Sequence, residues 1–366
     1  MADEKLILSI DLGTSGMKVA LIAVSGRVIG WESEPVRLII TPDGGAEQSP
    51  AEWWDAFLSA AGRLMKRNAD AGPRVIAVCA STQGEGTVAV DKDGNALGNA
   101  VLWMDMRGAP HLRRRLSGLV NLDGADILKV LRFVRLTGGM PSMTGKDPAA
   151  HMLLIRETMP DVYAHTHKFL NVLDYINLRL TGEFVATFDS ILTSWVTANR
   201  NPDDIRYDDA LIRILGIDRE KLPDIVPCTK VIGNLKSDVA SALGLRADVK
   251  VVAGAIDTTA AAIGAGAVDD YALHLYIGTS SWMAAHVPFK KTDVASSLAS
   301  IPCAAPGKYL LIALQATGGG NLTYLRDNII YHKDELLQEA DVPDIFKVLD
   351  QIAERVPAGA NGVMYT

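Results

Sequence analysis

The stretch from residue 6 to residue 24, LILSIDLGTSGMKVALIAV, constrains the fold of this chain more than any other feature. Aliphatic and β-branched residues lie on both sides of a short Gly, Ser and Thr segment, a pattern that predicts two strands joined by a small turn. The chain is therefore expected to begin with a β-hairpin whose strands are apolar.

The turn of this hairpin, residues 11–16, contains the groups that a phosphate-binding loop needs. Gly13 and Gly16 let backbone N–H groups approach an anion closely, because glycine has no Cβ in the way. Thr14 and Ser15 add hydroxyl donors. The turn is thus a candidate phosphate site, although a solvent-exposed hairpin in an ordinary sheet explains the same residues.

Two charged residues extend the candidate site. Lys18 supplies a cation, whereas the carboxylate of Asp11 would repel a phosphate directly. Mg²⁺ between the two anions removes this conflict, since it is typically held by one or two carboxylates together with water and phosphate oxygens. No Gly-Lys-Ser/Thr follows the glycines, so the turn is not a Walker loop.

Composition bounds the class of protein. The 366 residues are enough for roughly two domains, and 48% hydrophobic with 22% charged residues is typical of a globular protein with a substantial core. A net charge of −7 argues against a large nucleic-acid interface. Three scattered cysteines form no metal or disulfide pattern, and the N-terminus resembles neither a signal peptide nor a membrane span. We expect a cytoplasmic protein without nucleic-acid or membrane partners.

A second group of polar residues follows a buried-type strand at residues 75–80. The segment 81–86, STQGEG, lies at the carboxyl end of that strand, where α/β folds commonly bind ligands. Trp103, Asp105 and Arg107 alternate, so on a strand they would share one face, and that combination suits a polyhydroxylated ligand. The alternative is a core tryptophan beside a local Asp–Arg pair.

The pattern of the opening hairpin returns late in the chain. A buried strand at residues 249–253 leads to Asp257, which is well placed to accept a proton, and then to a helix of small residues. Residues 271–286, YALHLYIGTSSWMAAH, again predict strand, turn and strand. A glycine run at 317–321 precedes a predicted helix at 322–327. Two such hairpins predict two similar lobes with a nucleotide between them.

Taken together, these motifs resemble the FGGY family of carbohydrate kinases, within the actin, Hsp70 and sugar kinase superfamily, over essentially the whole chain. The matching motifs are DLGTSGMK (11–18), SPAEWW (49–54), LWMDMR (102–107), LDYINLRLTGEF (173–184), TFDSILTSW (187–195), AGAIDTTAAAIGAG (253–266), YIGTSSW (276–282) and ATGGGNLTYLRD (316–327). The resemblance implies an α/β, two-lobed actin-like ATPase (ribonuclease H-like) fold, with residues 1–248 as the first lobe and 249–366 as part of the second.

The resemblance also implies roles for individual residues. Asp257 would be the catalytic base, and Asp11 would anchor Mg²⁺ beside ATP. The sugar would be bound by Gln83, Gly84, Glu85, Trp103, Asp105, Arg107 and Thr258. The nucleotide phosphates would be lined by Gly13, Thr14, Ser15, Lys18, Gly278, Thr279, Ser280 and Gly319. The implied reaction is ATP-dependent phosphorylation of a terminal sugar hydroxyl.

The chain departs from the family pattern at the predicted sugar site. Xylulose kinases usually carry Gln-Met-His-Gly where this chain has QGEG at 83–86. The Gln-x-Glu order resembles glycerol kinases, which lack the Trp-x-Asp-x-Arg segment. Thr258 follows the predicted base where Asn or Gln is usual. The expected substrate is therefore a ketopentose such as xylulose, or a related ketose or polyol.

The chain is also shorter than the roughly five hundred residues of the family, so we expect it to be truncated within the second lobe or to derive from a split gene. Two alternatives to an active sugar kinase follow. One is a catalytically impaired sugar-binding protein, and the other is an actin- or Hsp70-like ATPase that does not need the Trp-x-Asp-x-Arg residues. The expected partners are a small-molecule sugar and a second copy in a homodimer.

Overall fold

The predicted hairpin is present in the computed structural model, which describes residues 4–122, 124–278, 281–293, 298–315, 318–330 and 345–363. Strands β1 (Leu6–Leu12) and β2 (Gly16–Ala23) are antiparallel, with Asp11 opposite Lys18. Every second residue of β1 is fully buried, as expected for a strand with one face on a core: these residues are Leu6, Leu8, Ile10 and Leu12.

The hairpin is part of a six-stranded sheet. Its other strands are β3 (Val28–Pro35), β4 (Val75–Thr82), β5 (Val231–Asn234) and β6 (Lys250–Ile256), in the spatial order β5-β6-β4-β1-β2-β3. Strands β6, β4 and β1 are neighbours and parallel, whereas β2, β3 and β5 are antiparallel to their neighbours. The carboxyl ends of β1, β4 and β6 therefore lie side by side at one edge of the sheet.

Helix α1 (Pro50–Arg67) packs on β2 and β3 and begins within the SPAEWW motif. The hydroxyl of Ser49 accepts a hydrogen bond from the backbone N–H of Glu52 at 3.4 Å, and proline occupies the first helical position. Trp53 is fully buried and Trp54 is 8% exposed. Both tryptophans therefore belong to the core.

Two further helices position the candidate site. Helix α2 (Val172–Thr181) packs on β4 and β6 and starts with a capping box formed by Asn171 and Asp174. Helix α3 (Asp257–Gly264) follows β6 without a loop. The predicted succession of a buried strand, Asp257 and a helix is confirmed, although the strand extends to Ile256.

The remaining elements are short and surround this sheet or belong to the C-terminal part. The other α-helices are Ala109–Leu116, Ile127–Thr137, Pro148–Thr158, Pro160–His165, Asp209–Leu215, Ser237–Leu243, Gly319–Leu325 and Ile345–Ala353. Single turns of 3₁₀ or π helix lie at Gly72–Arg74, Leu192–Ser194, Arg219–Lys221, Arg326–Ile330 and Ala360–Gly362. The other strands are Ile39–Ile40, Ala46–Gln48, Val88–Val90, Ala100–Val101, Asn121–Leu122, Ala125–Asp126, Lys168–Leu170, Val185–Thr187, Thr197–Ala198, Arg206–Tyr207, Asp224–Val226, Leu273–Ile277, Ser281–Val287, Thr292–Asp293, Leu298–Pro302 and Tyr309–Gln315.

The contacts divide the chain into two units. The first comprises Met1–Leu273 and Ala285–Leu311, and the second comprises His274–Ala284 and Ile312–Thr366. The predicted lobe boundary between residues 248 and 249 falls inside the first unit, just before β6, and it stays a prediction about the lobes. Among the described residues, no helix has both the length and the apolar character needed to cross a membrane.

A glycine near the end of β6 has a demanding backbone conformation. Gly254 has φ +75°, and a Cβ built on it would lie 2.0 Å from the carbonyl oxygen of Ala80 in β4. The register between β6 and β4 shifts at this point, between Val252 and Ala255. Only glycine fits such a close approach of two strands.

Gly254→Ala is therefore expected to reduce the free energy of unfolding by about 2 kcal/mol or more, because it adds backbone strain and a clash with a neighbouring strand. Urea denaturation measures the loss. Gly264→Ala is the matched control, since nothing lies within 4 Å of an added Cβ in that helical position. Alanine there should be neutral or stabilising by up to about 1 kcal/mol. Equal effects of the two substitutions would contradict the assignment of strain to Gly254.

Candidate active site

The three parallel strand ends bring the sequence-predicted site residues of the first unit together. Asp11 lies near the end of β1, Gln83 and Glu85 follow β4, and Asp257 follows β6. A Cβ built on Gly84 would lie 3.5 Å from Cδ1 of Ile256, so the chain after β4 lies close to the end of β6. Carboxyl ends of adjacent parallel strands form the usual ligand crevice of α/β folds.

The turn of the opening hairpin is held by a chain of side-chain hydrogen bonds. The hydroxyl of Thr14 donates to Oε1 of Gln83 at 2.9 Å and accepts from Nε1 of Trp103 at 3.2 Å. The amide nitrogen of Gln83 donates to Oε1 of Gln48 at 2.9 Å, and Trp53 donates to the same oxygen at 3.1 Å. The predicted phosphate turn and two predicted sugar residues are thus one connected network.

The remaining groups of the hairpin face solvent. The N–H of Gly13 donates to the carbonyl of Gly16 at 3.0 Å, which closes the turn, and Ser15 is exposed. Lys18 and Asp11 form an ion pair at 3.2 Å, with side chains 65% and 42% exposed. Exposed pairs of this kind contribute little stability and separate easily. Both charges are therefore available to a ligand, and their predicted roles toward phosphate and metal stay predictions.

Glu85 occupies an unusual position at the end of β4. Its backbone has φ +61°, a left-handed conformation that is uncommon for residues other than glycine. Burial raises the pKa of the Glu85 carboxyl to about 8, and the negative charges of Asp147 and Asp257 add to this effect while Lys146 opposes it. A strained residue with a neutral carboxyl group in a crevice is typical of a functional site.

The raised pKa of Glu85 predicts a specific pH dependence of stability. The group binds its proton up to about pH 8 in the folded protein but releases it near its ordinary value of 4.5 when unfolded. Stability is therefore lost as the pH rises between these values, since the folded state binds more protons there. Glu85→Gln should raise the free energy of unfolding at pH 8 by roughly 1 kcal/mol or more relative to wild type, and much less at pH 4.

Urea denaturation at both pH values measures this difference. The exposed Glu183 provides the control, because Glu183→Gln removes a carboxylate that water already solvates. If the free energy of unfolding differs between Glu85→Gln and wild type by the same amount at both pH values, the assignment of a raised pKa to Glu85 is contradicted.

The prediction that Trp103, Asp105 and Arg107 lie on a strand is wrong. The strand Ala100–Val101 ends after two residues, and the chain then turns, with the N–H of Asp105 donating to the carbonyl of Leu102 at 2.9 Å. Trp103 is 40% exposed whereas Asp105 is fully buried, so these side chains do not share one face. The turn is stabilised by the buried carboxylate, which a pattern of alternation alone does not reveal.

Asp105 and Arg107 instead form a buried ion-pair network. The Asp105 carboxylate accepts from the N–H of Ala46 at 2.9 Å and from the Arg107 guanidinium at 2.7 Å. Arg107 also donates to Glu47 at 2.6 Å. This arrangement matches the local Asp–Arg pair that the sequence left open. A direct contact of either residue with sugar stays a prediction.

Asp257 begins helix α3. Its Oδ1 accepts from the N–H of Thr258 at 2.6 Å and from the Thr258 hydroxyl at 3.1 Å. The side chain is reachable by solvent, yet the surrounding protein displaces enough water to raise its pKa. The charges of Asp11 and Asp189 raise this pKa further, whereas Thr258 lowers it. The result is a carboxylate of increased basicity at the crevice.

Sequence reasoning assigned no role to three buried carboxyl groups, those of Asp147, Asp174 and Asp189. Asp147 accepts from the N–H of Ser142 at 2.6 Å and from Nε1 of Trp195 at 2.9 Å, and burial raises its pKa to about 6. Asp189 lies within TFDSILTSW and bonds to the start of α3. An aspartate inside a family motif is the signal that could have identified Asp189.

The second unit contains the other predicted nucleotide residues. The N–H of Gly319 donates to the carbonyl of Gly278 at 2.6 Å, and a Cβ on Gly319 would lie 2.7 Å from that oxygen. The predicted helix after the glycine run begins three residues earlier than expected, at Gly319. Thr279 and Ser280 lie outside the described residues. The nucleotide roles of all four residues stay predictions.

Within the described ranges, no group of three or more His, Cys, Asp or Glu side chains is arranged to hold a metal ion. Asp11 alone offers a half-exposed carboxylate at the predicted position. Mg²⁺ commonly takes one or two protein carboxylates and completes its shell with water and phosphate oxygens. The donor set therefore fits a cation that binds together with a nucleotide.

Comparison with known proteins identifies what the chain resembles. The N-terminal domain of the FGGY family of carbohydrate kinases matches residues 6–264. Xylulose kinase from Bacillus subtilis is 26% identical over 364 residues, which is 99% of this chain and 67% of that protein. Erythritol kinase from Brucella abortus is 31% identical over 265 residues, 71% of this chain and 48% of that protein.

A solved structure shows the same fold. The crystal structure of gluconate kinase from Lactobacillus acidophilus superposes with a TM-score of 0.80 at 27% identity, covering 99% of this chain and 68% of that one. The predicted α/β fold of the actin-like ATPases is thereby confirmed. This chain spans about two thirds of that structure and of the Bacillus subtilis relative, and about half of the Brucella abortus relative.

Proposed function

Because this chain belongs to the FGGY family of carbohydrate kinases, we propose that it transfers the γ-phosphoryl group of ATP to a terminal hydroxyl of a sugar or polyol. The observation that supports this most directly is the position of Asp257. Its carboxylate stands at the end of β6, next to the strand that carries Gln83 and Glu85 and one strand further from Asp11. A base, polar groups for a hydroxylated ligand and a phosphate-type turn thus share one edge of the sheet.

In the proposed mechanism Asp257 is the general base. Its carboxylate accepts the proton of the substrate hydroxyl as that oxygen forms a bond to the γ-phosphorus, while the bond from this phosphorus to the bridging oxygen of ADP breaks. The neighbouring carboxylates that raise the pKa of Asp257 increase its affinity for the proton. Catalysis otherwise depends on positioning and on stabilising the charge of the transferred group.

The opening hairpin is proposed to bind phosphates. Backbone N–H groups of the turn and the hydroxyl of Thr14 are oriented by the network through Gln83 and Trp103. Lys18 can leave its exposed pair with Asp11 and contact a phosphate oxygen. Mg²⁺ held near Asp11 would offset the negative charge of the nucleotide. Gly278 and Gly319 are proposed to contact nucleotide phosphates.

Three side chains support the proposed substrate class. Gln83 and Glu85 offer an amide and a neutral carboxyl group, both able to hydrogen-bond with hydroxyls. Trp103, 40% exposed, provides an aromatic surface for the carbon face of a sugar. A ketopentose such as xylulose, or a related ketose or polyol, fits these groups. The relatives named above are kinases of xylulose and erythritol, and the solved structure is of a gluconate kinase.

The test is ATP-to-ADP conversion by this chain with Mg²⁺ across ketopentoses, ketohexoses, tetritols and gluconate. Turnover that requires one of the sugars or polyols, with transfer of ³²P from γ-labelled ATP to it, supports the proposal. ATP hydrolysis that no sugar stimulates would support the actin- or Hsp70-like ATPase instead. Sugar binding by calorimetry without turnover would support a sugar-binding protein of impaired activity. Sedimentation of the same sample tests the expected homodimer.

A further inference from the structure

Asp189 is completely enclosed by hydrogen-bond donors at the base of helix α3. Its Oδ2 accepts from the N–H of Ile256 at 3.0 Å and from the hydroxyl of Thr259. Its Oδ1 accepts from the hydroxyl of Thr187 at 2.6 Å and from the thiol of Cys228 at 3.3 Å. Within the described part of the chain four donors bond to this side chain, and they favour its ionised form against the burial that raises its pKa.

Two of these donors flank the candidate base. Ile256 is the residue before Asp257 and Thr259 is the second residue after it, so one carboxylate oxygen binds the chain on both sides of Asp257. The segment that carries Asp257 is the junction between β6 and α3, where the Thr259 hydroxyl also lies 3.2 Å from the carbonyl oxygen of Ile256. Fixing both flanks fixes the direction in which the Asp257 side chain leaves the backbone.

We propose that Asp189 is a positioning residue, whose buried carboxylate holds the β6–α3 junction so that Asp257 faces the crevice as the base. The proposal rests on the proposed kinase function only for its effect on turnover. Its structural part, that the Asp189 carboxylate sets the environment of Asp257, stands on the hydrogen bonds above. The carboxylate also acts through its charge, because it is one of the groups that raise the pKa of Asp257.

Other titratable groups surround the two carboxylates and must be kept constant in a test. The charges of Asp11 on β1 and of Asp189 raise the pKa of Asp257, and the charge of Asp257 in turn raises the pKa of Glu85 after β4. The titratable groups near Asp189 are Asp174, Cys228, Asp257 and Cys303. Substitution of Asp189 removes one of the neighbouring charges that act on Asp257, and it leaves Asp11 and Glu85 in place.

The experiment compares Asp189→Asn with Asp174→Asn. Asp174 is an equally buried carboxyl group that accepts from Ser190 at 2.8 Å and from Asn171 at 3.1 Å, and its charge is not among those that act on Asp257. The pKa of Asp257 is measured by carbon-13 NMR of its carboxyl group without nucleotide or Mg²⁺, with Asp257→Asn to assign the signal. We expect this pKa to fall in Asp189→Asn and to stay constant in Asp174→Asn.

Turnover provides the second measurement. With the sugar or polyol that supports activity, Asp189→Asn should lower kcat on the order of 10- to 100-fold with a small change in KM, because a displaced base affects the reaction more than binding. In a plot of kcat against pH, the acid limb should move to lower pH. Thr259→Val, which removes one hydroxyl without removing charge, should lower kcat and leave the limb in place.

These outcomes separate the two proposals. A constant pKa of Asp257 in Asp189→Asn overturns the positioning role, whatever the activity. If Asp189→Asn does not fold, normal kcat in Thr259→Val overturns it. The absence of turnover with every sugar in the wild-type chain overturns the proposed function, and the NMR titration then still decides whether Asp189 controls Asp257.

Discussion

Asp257→Asn is expected to lower kcat for sugar phosphorylation by about 10²- to 10⁴-fold, the usual contribution of a general base. The amide is nearly isosteric and can still accept from Thr258, so the start of helix α3 should be retained. It cannot accept a proton at neutral pH, however, and the substrate hydroxyl remains a weak nucleophile. Initial rates of ADP formation at saturating sugar and ATP measure the loss.

Binding measurements distinguish a variant that has lost only its catalytic base from one that has unfolded. Calorimetry should give sugar and nucleotide affinities within a few-fold of wild type, since uniform binding does not depend on the base. Asp55→Asn, on the exposed side of helix α1, is the control for removing one carboxylate and should leave kcat unchanged. Near-normal turnover in Asp257→Asn would show that another group, or none, accepts the proton.

Arg107→Met is expected to destabilise the fold by about 3–5 kcal/mol, because it leaves a fully buried carboxylate without its counter-charge. The Asp105 side chain is 0% exposed and that of Arg107 is 15% exposed, so water cannot replace the lost guanidinium. Glu47, also 15% exposed, loses the same partner. Methionine keeps most of the side-chain volume, which limits the effect of a cavity.

Urea denaturation at pH 7 measures this loss, and Arg37→Met is the control. Arg37 pairs with Glu52 at 2.8 Å, but the two side chains are 69% and 38% exposed, so less than about 1 kcal/mol is expected. Similar small losses of unfolding free energy in Arg107→Met and Arg37→Met would mean that water solvates the Asp105 network. In that case the predicted contact of Asp105 and Arg107 with sugar would gain support over a structural role.

The local elements that carry phosphate-type motifs could be predicted from sequence because their signals are short-range. The hairpin around Gly13 combines a two-residue period of burial with a glycine turn, and both are visible in a single stretch. The start of helix α1 at Ser49 and the strand–helix junction at Asp257 are likewise set by neighbouring residues. The identification of the FGGY family from these motifs is confirmed.

The error at Trp103–Arg107 has a different cause. Alternation of residue types predicted a strand, but a buried ion pair with Glu47 and a hydrogen bond to Ala46 bend the chain there. Both partners lie about sixty residues away in the sequence, so no local pattern contains them. The tertiary environment decided this segment against its apparent periodicity.

Sequence by itself determined the family, the opening hairpin and the position of Asp257 at the end of a strand, because each depends on residues that are close together in the chain. Only the tertiary structure decided which groups act on that aspartate. Asp11 and Asp189 come from separate segments: the parallel order β6-β4-β1 brings Asp11 to the sheet edge where Asp257 lies, while Asp189 reaches α3 from outside the sheet. The basicity of a carboxylate such as that of Asp257 depends on such distant charges and on lost water, which are properties of the folded chain alone.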